Sequence, residues 1–274
     1  MSIIIMFFLY ILFVCSFAYL NTDTLLKEVQ KEVHPNISFR VEEDILLVDW
    51  KTASPHHVLL VFNEHARERV TGELGLRVIQ SLKEWNPDIS VTIIPVLNVW
   101  GRKQVESGRP CVRKNSRGVD TNRNFQTRHV QHYGRRSEEY EGPFPLSEKE
   151  SKLVSNELKD VTRYVNVHSG EYSLYMPYDA SLEAPPNLAR MSAQLRKWSQ
   201  HCPQCVVGSA ARTSSYKAYG TSVDWAIEHN VAEAYTFEIY GRETWDCAQM
   251  FNPKAKDLET ILKPWLQIIK EVLT

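Results

Sequence analysis

The sequence has no long run of basic residues, no internal repeat and no low-complexity segment. Its formal net charge is −1 at pH 7, and this balance, without a basic patch in the sequence, argues against a nucleic-acid partner. Of 274 residues, 43% are hydrophobic and 24% are charged. This composition excludes a disordered chain or a repeat array and is typical of one globular domain with a sizeable core.

The first residues lack charge altogether. The segment from Ile3 to Leu20 is apolar, and Ser16-Phe17-Ala18 forms a small-x-small pattern that a signal peptidase could cut. No Lys or Arg precedes the segment, and its length could just span a bilayer, so a retained anchor stays open beside the favoured signal peptide at 1–18. In both cases we expect residues 19–274 to be secreted or to lie in the lumen of the secretory or lysosomal pathway. Membrane contact is expected only if the anchor is retained.

Cysteine is scarce, with four residues outside this segment: Cys111, Cys202, Cys205 and Cys247. An even number in an oxidising compartment predicts one or two disulfides, and all three complete pairings remain open. Cys202-Pro-Gln-Cys205 has no second Cys-x-x-Cys and no thioredoxin-like βαβ unit around it. A local disulfide or two free thiols is therefore favoured over half a zinc ribbon or a redox pair.

Apolar patterns predict strands and helices in alternation, which indicates an α/β fold. We expect a single domain with a mostly parallel, mixed and twisted sheet that helices cover on both faces. Predicted helices lie at 22–33, 66–84, 147–160, 185–200, 220–229 and 256–273; predicted strands lie at 38–50 (turning in the middle), 57–62, 90–96, up to His168, 205–208 and 232–239. The connection from Asn98 to Pro145 is expected to be structureless and to form a binding surface.

Three polar side chains lie at or near the carboxyl ends of predicted strands, where ligands bind in open α/β folds. They are His65, His168 and Glu238. Glu68 is three residues after His65 at a predicted helix start, so both side chains would share one face and could bind one ion. Zn²⁺ takes about four ligands and keeps one position for water in catalytic sites, which makes His168 the candidate third ligand. An HxxE pattern alone is common by chance, and His168 could simply cap its strand.

The HxxE pattern is one of five motifs that share an order and approximate spacing. The motifs are HARE at 65–68, RKNSRGVDTNRNF at 113–125, VNVHSGEYSLYMPYD at 165–179, SSYKAYGTSVDW at 214–225 and YTFEI at 235–239. Together they resemble the zinc metallocarboxypeptidases of the pancreatic carboxypeptidase A/B type over essentially all of residues 19–274.

The resemblance implies a zinc-dependent exopeptidase that removes one residue from peptide or protein C-termini. His65, Glu68 and His168 would hold one Zn²⁺, which activates a water and polarises the scissile carbonyl. Glu238 would be the general base that takes the water proton and passes it to the leaving amine. The alternative for Glu238 is a buried acid at a strand end, paired with an arginine.

The resemblance also assigns the substrate-binding residues. Arg113 would stabilise the oxyanion, Asn122 and Arg123 would grip the terminal carboxylate, and Tyr216 would close over it. Arg67 would line the outer cleft and contact the substrate backbone.

The connection from Asn98 to Pro145 supplies further candidate groups. Asp120 would orient His65, the first histidine of the proposed zinc site, through the ring nitrogen that does not bind the metal. Arg113, Arg117 and Arg123 lie together in a connection with few acids, which suggests that this connection is the substrate anchor.

The side-chain preference rests on two positions. Pancreatic enzymes that remove Lys and Arg carry an acid two residues before the tryptophan of the "DW" pair, where this chain has Val223. The regulatory carboxypeptidases of the N/E type, also specific for basic residues, place an acid eleven residues after the third zinc ligand, and here that residue is Asp179. We therefore favour a basic preference. In the alternative, Asp179 caps a turn and points outward, and an apolar pocket is lined by Ala211, Ala218, Val223 and Thr236.

The chain is also shorter than the relatives at several places. The resemblance leads us to expect a minimal catalytic domain with no N-terminal prodomain and no C-terminal accessory domain, active without zymogen processing. Two other functions remain open: a non-catalytic binding protein of the same fold, and a zinc deacylase of the aspartoacylase kind, which shares an HxxE…H site.

Overall fold

The structure is a computed structural model, and it describes residues 19–214 and 216–274. The predicted signal peptide lies outside these residues. The described residues form a sheet of eight strands. The strands are β1 (Ile37–Glu42), β2 (Ile45–Trp50), β3 (His57–Phe62), β4 (Ser90–Ile94), β5 (Arg163–His168), β6 (Tyr172–Met176), β7 (Val206–Ser209) and β8 (Glu233–Ile239).

Helices alternate with these strands along the chain. They are α1 (Thr22–Gln30), α2 (Arg69–Trp85), α3 (Val99–Glu106), α4 (Lys149–Glu157), α5 (Leu188–Trp198), α6 (Ala210–Thr213), α7 (Ser222–Glu228), α8 (Cys247–Phe251) and α9 (Leu258–Val272). In the described ranges, every helix is too short or too polar to cross a membrane.

The sheet has the strand order β1-β2-β4-β3-β5-β8-β6-β7. Its centre, β4-β3-β5-β8, is parallel, and so is the β6-β7 pair at one edge. The β1-β2, β2-β4 and β6-β8 pairs are antiparallel. The prediction of a mostly parallel mixed α/β sheet is therefore confirmed.

Burial follows from the position of each strand in the sheet. All six residues of β2 and five of the six in β3 are buried, as expected where helices cover both faces of a sheet. Helix α9 contributes an apolar stripe at helical spacing, which packs beside α2. Its fully buried members include Leu258, Leu262, Trp265 and Ile269.

Several elements that border the site were not predicted from the sequence, among them α3, β6 and α8. Part of the connection after Asn98 is helical: the Asn98 side chain accepts a hydrogen bond from Gly101 N at 2.9 Å and caps α3. Only three of the eight α3 residues are buried, one of them Arg102, so this helix has no apolar period to recognise. Strand β6 was missed because its five residues follow β5 after a very short turn. The expectation of a structureless connection was thus wrong in part.

All four cysteines of the described residues are paired. Cys202 and Cys205 form a local disulfide, one of the two states that the sequence favoured. The other disulfide joins Cys111, after α3, to Cys247 at the start of α8, across 136 residues of sequence. This second bond ties two segments that both border the cleft described below.

Candidate active site

The carboxyl edge of the parallel strands brings the predicted site residues together. His168 is the last residue of β5, and the β5-β8 register places it directly beside Glu238. His65 follows β3, the other neighbour of β5. The parallel arrangement therefore brings side chains separated by about 170 residues of sequence to one point.

His65 and Glu68 lie in the turn before α2 and not on the helix face that the sequence predicted. Helix α2 begins at Arg69, and Glu68 is its N-cap. Asn63 has a positive φ of 52° and its Nδ2 donates to the carbonyl of His65 at 2.9 Å. The turn is also closed by the Thr71 hydroxyl, which donates to the carbonyl of Glu68 at 2.8 Å. Buried hydrogen bonds from side chains to backbone carbonyls thus fix His65 and Glu68 where a helix would not have placed them.

His65, Glu68 and His168 form a buried cluster whose potential ligand atoms all lie within 4.8 Å of one another. His65 Nδ1 is 2.8 Å from Glu68 Oε1, and His168 Nδ1 is 3.0 Å from Glu68 Oε2. The two Nδ1 atoms are 3.1 Å apart. Nitrogen and oxygen ligands at about 2.0–2.2 Å from a tetrahedral zinc ion lie roughly 3.4 Å from each other. The donor set and its spacing therefore fit a zinc ion.

Asp120 orients the first of these histidines. Its Oδ1 lies 3.1 Å from His65 Nε2 and its Oδ2 accepts from Arg113 Nε at 2.8 Å. A proton on Nε2, directed at this carboxylate, leaves a lone pair on Nδ1. In that tautomer the lone pair points to the side of Glu68, where it is available to a metal ion.

The electrostatics of the cluster also favour a cation. Burial alone would lower the pKa of His168, but the carboxylate of Glu68 outweighs it and raises this pKa to about 9. Burial alone would raise the pKa of Glu68, yet His65 and His168 hold it well below its usual range. The cluster thus retains a positive charge on a histidine against the cost of burial, and a metal ion would replace that charge.

Glu238 has an oxygen with no partner beside this cluster. Its Oε2 is buried and makes no hydrogen bond within the described residues. Burial and the negative charge of Glu68 raise the pKa of Glu238 to about 8. Among the described residues Glu238 forms no ion pair with an arginine, which was the alternative role. The nearby Arg113 and Arg123 pair with Asp120 and Glu139 instead. An unpaired carboxyl group beside a metal-binding cluster is suited to proton transfer.

Arg113 and Asn122 contact the cluster. Arg113 Nη1 is 3.3 Å from His65 Nδ1, and Asn122 Nδ2 is 3.4 Å from His168 Nε2. The side-chain oxygen of Asn122 accepts from Ser222 N at 2.9 Å, which leaves its Nδ2 facing the cleft. Both side chains therefore present N–H groups next to the metal-binding residues.

Arg123 and Tyr216 line the same cleft at different depths. The side chain of Arg123 is 2% exposed, and its Nη2 lies 2.9 Å from Oε1 of Glu139. Tyr216 is 54% exposed and lies at the mouth. The sequence did not single out Glu139, because nothing in the SEEY segment distinguishes it from a solvated acid.

Arg67 and Asp179 lie in the cleft wall. The guanidinium of Arg67 stacks 4.3 Å from the ring centroid of Phe251, and its Nη1 contacts Glu138 at 2.9 Å. Asp179 is only 7% exposed and faces the cleft, so it does not point outward. Burial raises the pKa of Asp179 against the opposing charge of Arg123. The turn is held instead by Asp224, which accepts from the backbone N–H groups of Asp179 and Ala180.

The cleft has a volume of about 290 Å³. Of the residues proposed for an apolar pocket, Ala218 and Thr236 line it, whereas Val223 is a core residue and Ala211 lies outside the lining. Arg117 does not belong to the anchor, because it lies outside the cleft and faces Glu148 at 3.6 Å. Lining residues that the sequence did not single out include Glu171, Met250 and Phe251.

Comparison with known proteins places this cleft in a family. The Peptidase_M14 pattern, zinc carboxypeptidase, matches residues 46–265, which contain every residue of the cleft. Mast cell carboxypeptidase A of Rattus norvegicus is 27% identical over 252 residues, covering 77% of this chain and 61% of the relative. Carboxypeptidase B of Homo sapiens is 26% identical over 210 residues, covering 64% of this chain and 49% of the relative. The chain therefore spans about half to three-fifths of the length of these curated relatives.

Solved structures share the fold at lower identity. Bovine thrombin-activatable fibrinolysis inhibitor, in complex with tick carboxypeptidase inhibitor, has a TM-score of 0.82 at 19% identity, covering 94% of this chain and 97% of the other. Carboxypeptidase A from Helicoverpa armigera has a TM-score of 0.77 at 20% identity, covering 90% of this chain and 70% of the other. With the family pattern matched over most of its length, this chain belongs to the zinc carboxypeptidase family.

Proposed function

We propose that this chain is a zinc-dependent metallocarboxypeptidase that hydrolyses the last peptide bond of a peptide and releases one amino acid. The observation that carries the proposal is the composition of a single cleft. It contains three side chains that could bind a metal ion, a carboxyl group without a partner among the described residues, the buried Arg123 and the largely buried Arg113. A peptide C-terminus needs these groups together, because its hydrolysis requires an activated water, a proton carrier and a cationic anchor.

His65, Glu68 and His168 would hold the zinc ion. When bound, zinc supplies a Lewis acid for the scissile carbonyl and lowers the pKa of a bound water toward about 7. Asp120 fixes the ring of His65 so that Nδ1 faces the ion. Ser169 N donates to Glu68 Oε2 at 3.1 Å and keeps that carboxylate in place.

Glu238 would act as the general base and then as the proton donor to the leaving amine. A base is most effective when its pKa lies near the working pH, and burial beside Glu68 moves the pKa of Glu238 in that direction. Its Oε2 has no hydrogen-bond partner among the described residues, so no existing bond must break before it accepts a proton. In its ionised form the carboxylate would therefore accept a proton from the attacking water, and the resulting carboxylic acid would donate it to the leaving amine.

Arg113 and Arg123 would bind on opposite sides of the scissile bond, at the carbonyl of the penultimate residue and at the carboxylate of the last residue. Arg113, held by Asp120, directs Nη1 toward the metal-binding cluster, where it can stabilise negative charge on the carbonyl oxygen. Arg123 and Asn122 would bind the terminal carboxylate, for which a guanidinium offers a charged, bidentate donor. Tyr216, at the exposed mouth, would close over that carboxylate, and Arg67 would contact the preceding residues of the peptide.

We propose a preference for C-terminal Lys or Arg, carried by Asp179. Its carboxylate is almost fully buried in the cleft, where a charge without a cationic partner is costly. A lysine or arginine side chain of the substrate would supply that partner. The neighbouring wall residues Ala218 and Thr236 are small and leave room for a long side chain.

We also propose that the protein works outside the cytosol. All four cysteines of the described residues are in disulfides, and one bond spans 136 residues of sequence. Such bonds form and persist mainly in the secretory pathway or outside the cell.

Turnover of three matched substrates tests the function. We expect the zinc-loaded protein to cleave a blocked dipeptide ending in free arginine, to leave the corresponding amide almost untouched, and to be slow on an N-acetyl amino acid. Glu238→Gln should retain zinc while turnover falls by several orders of magnitude. Efficient cleavage of the amide would contradict the exopeptidase, preference for the N-acetyl amino acid would indicate a deacylase, and no turnover would indicate a binding protein.

A further inference from the structure

The proposed carboxylate anchor already contacts a carboxylate of its own chain. Arg123 Nη2 is 2.9 Å from Glu139 Oε1, and Arg123 Nη1 donates to the carbonyl of Asn122 at 2.9 Å. A bidentate grip on a substrate carboxylate uses two N–H groups of the guanidinium. Glu139 holds one of the terminal nitrogens that such a grip would use.

Arg123 does not need Glu139 to hold its position. Its side chain is 2% exposed, so the surrounding residues already restrict it, and the carbonyl of Asn122 fixes the guanidinium from a second direction. Asp120 and Tyr216 also lie close enough to act on the charge of Arg123. The Glu139 side chain, in contrast, is 29% exposed and can reach water.

The backbone that carries Glu139 is anchored. Lys114 Nζ donates to the carbonyl of Ser137 at 2.6 Å, and Asp120 N donates to the carbonyl of Tyr140 at 2.8 Å. Glu139 N also donates to the Ser137 hydroxyl at 3.1 Å. Release of Arg123 therefore requires a change of the Glu139 side-chain rotamer, which also ends the hydrogen bond of Glu139 with Tyr133, and no movement of the segment.

We propose that Glu139 is an internal competitor that sets the affinity of the cleft for a free C-terminal carboxylate. Two carboxylates on one guanidinium repel each other, so a substrate must first displace Glu139, and its apparent affinity falls by the fraction of molecules in which Arg123 is free. The competitor acts on the carboxylate alone. Every free C-terminus therefore binds more weakly by the same factor, and only substrates that gain further binding energy in the side-chain pocket still bind at low concentration.

The neighbouring residue provides a matched control. Glu138 contacts Arg67 Nη1 at 2.9 Å, at the outer cleft, and its side chain is 62% exposed. It has the same charge and belongs to the same anchored segment but does not touch Arg123. Removing its charge changes the local field without releasing the anchor.

Equilibrium binding in a hydrolysis-deficient background tests the proposal. The inference rests on the proposed function, because the ligand is a peptide C-terminus, but the measurement does not require turnover. In the zinc-loaded Glu238→Gln protein, we measure the Kd of a blocked dipeptide ending in arginine as its free acid and as its amide. Adding Glu139→Gln should lower the Kd of the free acid by about three- to tenfold and leave the Kd of the amide unchanged.

The outcomes separate competition from positioning. Glu139→Ala should act in the same direction as Glu139→Gln, and Glu138→Gln should leave the ratio of the two dissociation constants as it was. If the Kd of the free acid is unchanged or higher in both Glu139 variants, the proposal is overturned. A higher Kd would show that Glu139 positions Arg123. Zinc content and thermal melting of each variant establish that it is folded. Failure of the wild type to turn over peptides would instead count against the proposed function.

Discussion

At the residue scale, the site depends on charges that burial makes expensive. Glu238 illustrates this, because its ionised form is costly in the buried cleft and its pKa is raised above that of an exposed glutamate. The cause is removal from water together with the negative charge of Glu68. The same burial places Asp179 in the cleft wall with a raised pKa. Keeping both carboxyl groups out of water therefore costs folding free energy.

The raised pKa of Glu238 predicts how the stability of the metal-free protein depends on pH. Between its ordinary value of 4.5 and about 8, the folded protein retains a proton that the unfolded chain has released. Stability from this group is therefore full below pH 4.5 and decreases as the pH rises toward 8. Glu238→Gln removes this dependence, so the metal-free variant should exceed the wild type in Tm at pH 8 by several degrees more than at pH 5. A Tm difference that is equal at both pH values would show that Glu238 ionises normally.

The position of Asp179 predicts the side-chain preference. We expect wild-type kcat/KM to be higher on matched substrates ending in Arg or Lys than on those ending in Phe or Leu. Asp179→Ala should reduce kcat/KM for Arg by at least about tenfold, roughly 1.4 kcal/mol, and leave Phe nearly unchanged. A wild type that prefers Phe or Leu, or a variant that keeps its Arg preference, would refute the role of Asp179.

Residues whose role requires one chemical type could be recognised from the sequence. His65, Glu68 and His168 were proposed as a ligand set from spacing and motifs, and their side chains meet in the structure. Glu139 could not be found, because its importance depends on a contact across the fold and its own sequence context is that of an exposed acid. Arg117 was wrongly grouped with the anchor for the same reason, since sequence proximity to Arg113 does not fix the direction of a side chain.

At the element scale, strands and helices with a clear apolar period were predicted with small errors at their ends. Strands β3 and β5 and helix α9 are examples, because burial on one or both faces imposes a pattern on the sequence. Helix α3 could not be predicted, since its stability comes from the Asn98 cap and from buried Arg102, whose Nη1 donates to Asn63 Oδ1 at 2.8 Å. Tertiary contacts decide the structure of such segments.

The two disulfides predict different losses of stability. The Cys111–Cys247 disulfide closes a loop with a sequence separation of 136 residues, and the Cys202–Cys205 disulfide closes one with a separation of only 3. Loop-closure entropy gives about 5 kcal/mol for the long loop and about 2 kcal/mol for the short one. Replacing both cysteines of the long loop with serine should therefore lower the free energy of unfolding clearly more than the same change in the short loop. Denaturant unfolding of the two double variants measures this, and equal losses would contradict the entropic account.

The long disulfide also belongs to the architecture of the cleft. Cys111 lies two residues before Arg113, and Cys247 begins the helix that ends with Phe251, a cleft-lining residue. Loss of this disulfide should therefore increase the mobility of the two cleft-lining segments that it joins. We expect KM for a blocked dipeptide to rise in the long-loop variant and to stay near the wild-type value in the short-loop variant.

At the scale of the whole molecule, the mixed sheet explains why one site is built from distant segments. Parallel strands β3, β5 and β8 end at one edge, and that edge receives His65, His168 and Glu238. The connection from β4 to β5 contributes Arg113 and Arg123, which also line the cleft. The order of strands could not be derived from the sequence pattern alone, because each buried strand could pair with several others.

The central claim is that this cleft is a zinc centre that hydrolyses peptide C-termini, and zinc titration of the metal-free protein tests it most directly. Turnover of a blocked dipeptide with a free C-terminus should be absent without metal and should increase to a plateau at one Zn²⁺ per chain. His168→Ala, which leaves two of the three protein ligands, should bind zinc far more weakly and recover no turnover under the same titration. Full turnover without metal, or stoichiometric zinc and full turnover in His168→Ala, would contradict the account.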